Sequence, residues 1–145
     1  MGKEIEHKYL VISEDYKTYS FESHHIIQGY ISRDVERTVR VRIYDEKGFI
    51  TIKGKTEGDT RLEFEYEIPV QEAKELLNLC IGNRIEKKRW IVNYGGHCWE
   101  IDEFANRDFP TVAEIELPHS TYNYPLPSFI GEEVTGNPKF YNSNL

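Results

Sequence analysis

Most of the chain alternates apolar and polar residues with a period of two, the pattern that is typical of β-strands. The alternation is strongest over residues 36–44, where Arg40 and Arg42 lie on one face and valine and isoleucine occupy the other. The same pattern predicts further strands over residues 4–11, 26–32, 49–55, 61–68, 85–92, 97–104 and 111–117. The sequence therefore predicts about eight strands, spread over nearly the whole chain.

Helical periodicity is clear in one segment. Its apolar stripe follows a proline and consists of Ala73, Leu76, Leu77 and Cys80. Gly82 is a plausible C-terminal stop for this helix. Residues 13–19 predict a short helix or turn, and residues 130–134 predict a short helix within an otherwise irregular, proline-rich tail.

Short connections between the strands favour an antiparallel sheet. Residues 45–48 and 93–96 have the composition of tight hairpin turns, and each ends in glycine. Eight antiparallel strands gain from closing into a barrel, because closure removes unpaired strand edges. We therefore predict a mainly β fold of the α+β class, an eight-stranded antiparallel closed barrel with a few helices outside it, and one domain over residues 1–145.

Composition excludes several classes of function. The chain has 145 residues, is 39% hydrophobic and 30% charged, and contains no apolar run long enough to span a membrane. Its first residues lack a secretory signal, so we expect a cytoplasmic protein without a membrane partner. Cys80 and Cys98 form no CxxC pair, which argues against a cysteine-based zinc site. The net charge of −7 opposes binding to a nucleic-acid backbone.

The polar faces of the predicted strands are unusually rich in charge, and the two signs are largely segregated by strand. Carboxylates at i, i+2 spacing are Glu4, Glu6, Glu63, Glu65, Glu67, Glu100, Asp102, Glu114 and Glu116. Cations at the same spacing are Lys8, Arg40, Arg42, Lys53, Lys55, Lys87 and Arg89. Side chains two apart on a strand point the same way, about 7 Å apart, so neighbouring carboxylates repel unless a cation lies near them.

This charge pattern admits two interpretations. Divalent ions such as Mg²⁺ or Mn²⁺ accept carboxylate oxygens and bridge them to phosphates, while arginine forks and lysine ammonium groups bind phosphate oxygens directly. The pattern therefore fits a site for a polyphosphate with its metal. The alternative is an ordinary solvated outer face held by cross-strand ion pairs. Periodicity alone does not say whether the charged faces point into a barrel or out to water.

An ordered series of motifs resembles the CYTH proteins, also called triphosphate tunnel metalloenzymes. The series begins with Glu4-Ile5-Glu6-His7-Lys8, which matches the ExExK signature of that family. It continues in order with segments 28–30, 39–42, 51–54, 63–67, 85–89, 99–102, 113–116 and 131–135, and so covers nearly the whole chain. The chain is similar to the compact bacterial branch of the family.

The resemblance implies a closed barrel that forms a tunnel with the charged side chains inside. It also implies a metal-dependent hydrolase of triphosphate substrates, similar to an inorganic tripolyphosphatase, with Mg²⁺ or Mn²⁺ as cofactor. Thiamine triphosphatase and CYTH-type adenylate cyclase are the alternative enzymes, and a non-catalytic module that binds polyphosphate or a nucleotide is a third interpretation. The expected partner is a small triphosphate-bearing substrate, and the protein is expected to be a monomer or homodimer.

The resemblance also suggests roles for individual residues. The implied metal ligands are Glu4, Glu6, Glu114 and Glu116, with Asp102, Glu63 and Glu65 as further candidates. The implied phosphate-binding residues are Lys8, Arg40, Arg42, Lys53, Lys87 and Arg89. Lys8, Tyr30 and Glu116 are the expected catalytic residues, because a tyrosine–lysine pair is linked to catalysis in similar proteins. A C-terminal helix plugs one tunnel mouth in the family, and only a short remnant near residues 141–144 is expected here.

Overall fold

The computed structural model describes residues 2–145, which form nine strands and two α-helices. The strands are β1 (Lys3–Val11), β2 (Ser20–Ser32), β3 (Arg37–Tyr44), β4 (Lys47–Gly54), β5 (Thr60–Ile68), β6 (Ile81–Tyr94), β7 (His97–Phe104), β8 (Val112–Glu116) and β9 (Ile130–Glu133). The helices are α1 (Tyr16–Tyr19) and α2 (Val70–Leu77). Two short 3₁₀ turns, Pro138–Phe140 and Asn142–Asn144, follow β9.

Eight of these strands close into an antiparallel barrel, as the sequence predicts. Neighbouring strands pair in the order β1, β5, β4, β3, β2, β6, β7, β8, and β8 pairs back onto β1. β5 pairs only with the first part of β1, from Lys3 to Ile5. β9 pairs with the later part of β1, at Tyr9 and Val11. The ninth strand therefore covers the part of β1 that β5 leaves open.

Two local expectations are wrong. The segment 130–134 is not helical, because its backbone completes the pairing of β1 as strand β9. Gly82 does not end a helix: α2 already ends at Leu77, and Gly82 lies in β6 with a φ of 70°. β2 and β6 also extend several residues beyond their predicted bounds, because the two strands pair with each other over a long stretch.

The apolar side chains pack outside the barrel. One cluster centres on Trp99, Ile101 and Tyr16, and a second cluster joins Val41 to α2. Glycine makes the second contact possible, since a Cβ at Gly29 would lie 2.9 Å from Cys80 and a Cβ at Gly48 only 2.7 Å from the Ala73 Cβ. The barrel interior is thereby left to the polar faces of the strands. Within residues 2–145, no helix is long and apolar enough to cross a membrane.

A charged cluster on β2 predicts a pH-dependent contribution to stability. Partial burial lowers the pKa of His24, but hydrogen bonds to Asp45 and Glu22 outweigh burial and raise the pKa above its ordinary value. Protonation of His24 therefore stabilises the fold. This stabilisation is fully present below the pKa of an unfolded histidine, about 6.5, and is lost as pH rises through the higher pKa of the folded state.

We expect His24→Gln to lower the melting temperature by up to about 3 °C near pH 6 and by less near pH 9. Thermal unfolding followed by circular dichroism measures both values. The control is His119→Gln, since His119 is an exposed histidine whose ring bonds to the hydroxyl of Thr121 rather than to a carboxylate. An equal pH-dependent loss in the control would contradict the assignment.

Candidate functional site

The inward faces of the barrel strands carry the charges. The inward side chains of β1 are Glu4, Glu6 and Lys8, and those of β3 include Arg40 and Arg42. They line a cavity of about 370 Å³ inside the barrel. The structure thus resolves the question that periodicity left open, and the charged faces point toward the barrel axis.

The cavity brings together most of the residues that the sequence singles out. All six expected phosphate-binding residues line it, namely Lys8, Arg40, Arg42, Lys53, Lys87 and Arg89. The expected metal ligands that line it are Glu4, Glu6, Glu63, Glu65, Glu114 and Glu116, and Tyr30, expected to be catalytic, lines it as well. Lys55 is exposed just beyond the end of β4, as its position at a strand end suggests.

Asp102 is not one of the residues that line the cavity, and it is 1% exposed. Its two carboxylate oxygens accept hydrogen bonds from the Arg89 Nε at 2.8 Å and the Arg89 Nη2 at 3.0 Å. The Lys87 Nζ lies 2.8 Å from the same carboxylate. Burial lowers the pKa of Lys87 to about 7, against the opposing effect of Asp102. Asp102 therefore balances two buried cations that reach the cavity.

Three carboxylates meet at one place in the cavity. Glu4, Glu63 and Glu116 each offer an oxygen, and these oxygens lie within 4.8 Å of one another. Burial and the charges of Glu4, Glu100 and Glu63 raise the pKa of Glu116 to about 7. The Lys53 Nζ reaches into this group, 3.0 Å from Glu4 and 3.3 Å from Glu63. One lysine thus offsets only part of the negative charge.

Glu6 and Glu114 form a second carboxylate contact beside the first. Burial and the charges of Glu114 and Glu4 raise the pKa of Glu6 well above its ordinary value. Lys8 lies opposite Glu114 in the register of β1 and β8, and its charge favours the ionised form of Glu114. Two carboxylates so close share one proton unless a cation neutralises them.

This donor set fits a hard divalent cation. The five glutamates supply only oxygen donors, and no histidine or cysteine of residues 2–145 lines the cavity. Oxygen-only sites with several carboxylates suit Mg²⁺ and Mn²⁺ rather than zinc. Burial and repulsion between neighbouring carboxylates raise the pKa values of Glu116 and Glu6, and a bound divalent cation would offset that repulsion.

Tyr30 and Glu65 lie on the wall formed by β2 to β5. Tyr30 is 5% exposed, and the Arg33 guanidinium lies 5.1 Å from the centre of its ring. Glu65 accepts a hydrogen bond from the Thr51 hydroxyl at 2.8 Å and lies 3.4 Å from Arg40 Nη2. Glu65 therefore neighbours Arg40, one of the expected phosphate-binding residues, instead of the cluster of Glu4, Glu63 and Glu116.

Sequence reasoning missed several residues of the cavity lining. Arg61 and Thr38 line the cavity, and Arg61 Nη2 donates to the Thr38 hydroxyl at 3.4 Å. Arg61 precedes Glu63 by two residues on β5, so its shared face was a signal in the sequence. Tyr44 and Phe49 also line the cavity, and their positions, two residues after Arg42 and four residues before Lys53, place them on the same inward faces.

The C-terminal segment closes part of the cavity without forming an α-helix. The Lys8 Nζ donates to the backbone oxygen of Phe140 at 2.9 Å, and the Lys87 Nζ donates to the Asn142 side chain at 3.2 Å. Arg33 holds the end of the segment through the Ser143 oxygen at 2.7 Å. The short remnant expected from the sequence is thus a pair of 3₁₀ turns in contact with two of the cations.

Comparison with known proteins gives a consistent result. A family model described as the CYTH domain matches residues 2–141. An inorganic triphosphatase of Acetivibrio thermocellus is 46% identical over 147 residues, covering 100% of this chain and 94% of that protein. An inorganic triphosphatase of Nitrosomonas europaea is 29% identical, covering 98% and 95%. The solved structure of the inorganic triphosphatase NE1496 superposes with a TM-score of 0.64 at 26% identity, covering 97% of this chain and 91% of that one.

Proposed function

Since this chain belongs to the CYTH domain family, we propose that it is a metal-dependent triphosphatase that hydrolyses inorganic triphosphate. The observation that supports this most strongly is the closed barrel with seven cations and a group of carboxylates facing one cavity. Buried charges are costly unless partners neutralise them. A triphosphate with its divalent cation supplies both the anion and the cation that this interior needs.

The cations would bind the substrate. Arg40, Arg42 and Arg89 present guanidinium groups that match phosphate oxygens, while Lys8 and Lys87 provide compact charges. Lys87 stands beside other cations, so a bound phosphate would favour its charged form. Because phosphoryl transfer depends mostly on positioning and on neutralising charge, this set would supply much of the rate acceleration.

Glu4, Glu63 and Glu116 would hold a divalent cation, with Glu6 and Glu114 beside them, and we propose Mg²⁺ or Mn²⁺. When bound, such an ion draws charge from the phosphate oxygens and lowers the pKa of a nearby water.

For the hydrolysis step, we propose that a Glu116 carboxylate oxygen orients the attacking water and accepts its proton. The water oxygen bonds to the terminal phosphorus, and the bond from phosphorus to the bridging oxygen breaks. Lys8 would neutralise the leaving diphosphate, and the Tyr30 hydroxyl would donate to a phosphate oxygen.

A substrate panel tests the reaction. Inorganic triphosphate, thiamine triphosphate and ATP are each incubated with Mg²⁺ or Mn²⁺, and phosphate and cyclic AMP are measured. We expect phosphate release to be highest with inorganic triphosphate and to stop when a chelator removes the metal. Cyclic AMP from ATP would indicate the cyclase, and tight binding without turnover would indicate a binding module.

Two lysines near the end of β4, Lys53 and Lys55, test the role of the inward cations. Lys53→Ala removes the ammonium that contacts Glu4 and Glu63, and we expect kcat/KM for inorganic triphosphate to fall at least about 100-fold. Lys55→Ala removes the same charge from an exposed side chain two residues away. We expect the Lys55 variant to stay within about 2-fold of the wild type. Equal losses in both variants would refute the specific role of Lys53.

We also propose that the enzyme acts in the cytoplasm. Its two cysteines, Cys80 and Cys98, are both free thiols in the structure. Free thiols persist in a reducing compartment and are typical of intracellular proteins.

A further inference from the structure

Gln28 has an unusual environment that the proposed chemistry has not explained. Its side chain is 0% exposed and lies on β2. Its Nε2 has no hydrogen-bond partner among residues 2–145. A buried donor without a partner destabilises a fold, so an apolar side chain of the same length would serve packing better. Another physical requirement must therefore favour glutamine at this position.

The carbonyl oxygen of the Gln28 amide explains why a glutamine is favoured here. The Gln28 Oε1 accepts hydrogen bonds from Arg42 Nε at 2.9 Å and from Arg42 Nη2 at 2.7 Å. These two donors form one edge of the guanidinium, so a single acceptor fixes the plane of the group. The other edge, which carries Nη1, is left for the cavity that Arg42 lines.

The sheet register builds this contact into the fold. Gln28 and Arg42 are directly opposite each other in the pairing of β2 with β3. Arg42 is 8% exposed, and burial together with the charges of Arg40 and Arg89 lowers its pKa to about 9. A neutral acceptor suits such a guanidinium, because a carboxylate in its place would cancel the charge that the substrate needs.

We propose that Gln28 is a positioning residue that holds the Arg42 guanidinium in the orientation that binds the triphosphate. The inference rests on the proposed function, because it requires a phosphate-binding Arg42. Gln28 itself does not line the cavity, so a substrate bound there would contact Arg42 and not Gln28. Its effect on the reaction passes through the arginine alone.

The decisive variant is Gln28→Met, which keeps the length and volume of the side chain but removes the acceptor and the unpartnered donor. A role in packing alone predicts full activity and undiminished stability. A positioning role predicts at least about 10-fold weaker binding of inorganic triphosphate, measured by calorimetry with Mg²⁺, and a higher KM. Gln71→Met is the matched control, because Gln71 is exposed on α2 and is the other glutamine of the chain.

Gln28→Glu separates orientation from charge. It keeps an acceptor for both arginine donors but adds a negative charge, so we expect KM to rise while kcat stays near that of the wild type. In Gln28→Met, kcat should fall as well, because the arginine is misplaced in the transition state.

A double-mutant cycle shows whether Gln28 acts through Arg42. In an Arg42→Met background, the added change Gln28→Met should alter triphosphate affinity by less than about 2-fold. Wild-type affinity in Gln28→Met, or a full additional loss in the Arg42→Met background, would overturn the positioning role while leaving the proposed function intact. A wild-type protein that binds no triphosphate would overturn both.

Discussion

Replacing Glu116 with glutamine should decrease catalysis and increase the stability of the metal-free protein. Glu116 meets Glu4 and Glu63 within 4.8 Å, and mutual repulsion contributes to its raised pKa. Glutamine removes one negative charge, which relieves that repulsion in the metal-free fold but takes away a proposed ligand for the divalent cation. We expect kcat/KM for inorganic triphosphate to fall at least about 100-fold and the metal-free melting temperature to rise.

Besides kcat/KM, two further quantities are measured, the affinity for Mn²⁺ and the melting temperature without metal. Calorimetric titration with Mn²⁺ should show at least about 10-fold weaker binding in Glu116→Gln. Thermal unfolding with a chelator present gives the metal-free stability. Glu67→Gln is the control, because Glu67 is an exposed carboxylate of β5 outside the cavity lining, and it should leave all three quantities unchanged. A Glu116 variant with full activity would remove this residue from the mechanism.

Replacing Asp102 with asparagine should have the reverse signature, a large loss of stability without a loss of metal affinity. Asp102 is 1% exposed and pairs with Arg89 and Lys87, so its neutralisation takes the paired carboxylate from Lys87 and leaves Arg89 with Glu100 alone. Breaking a buried ion pair on one side costs about 3–5 kcal/mol. For a chain of this size we expect the melting temperature to fall by about 10 °C or more.

The same variant decides between two roles for Asp102. The family resemblance makes it a candidate metal ligand, whereas its contacts make it a counter-ion that holds Arg89 and Lys87 in place. Mn²⁺ affinity within about 2-fold of the wild type, together with lower stability, would support the counter-ion. Weaker Mn²⁺ binding at unchanged stability would support the ligand. Asp108→Asn, a change at an exposed carboxylate, is the control for both readouts.

Local alternation was sufficient to predict the barrel strands, because period two depends only on successive residues of one strand. It failed at 130–134, where the sequence predicts a helix. That segment is a strand because part of β1 needs a pairing partner, and this need arises only after β5 has diverged from β1. The prediction that Gly82 ends a helix was wrong for a similar reason, because the pairing of β2 with β6 extends strand β6 to a position before the glycine.

In the candidate site too, the local sequence pattern predicted some features and not others. The i, i+2 charges showed which residues share a face, and they placed Lys53 and Glu63 among the candidates. They did not show that Asp102 would face Arg89 in the β6–β7 register, or that Gln28 would face Arg42 in the β2–β3 register. Such neighbours are far apart in the sequence, so no local pattern contains them.

The sequence by itself determined the strands, their charged faces and, through the ordered family motifs, the class of substrate. Tertiary structure alone decided which carboxylates meet in the cavity, which one balances buried cations, and which polar group contacts Arg42. The physical reason is that the sequence gives the charge and polarity of each side chain directly, whereas its pKa and its neighbours depend on burial and on cross-strand register. Both are set only when the barrel closes.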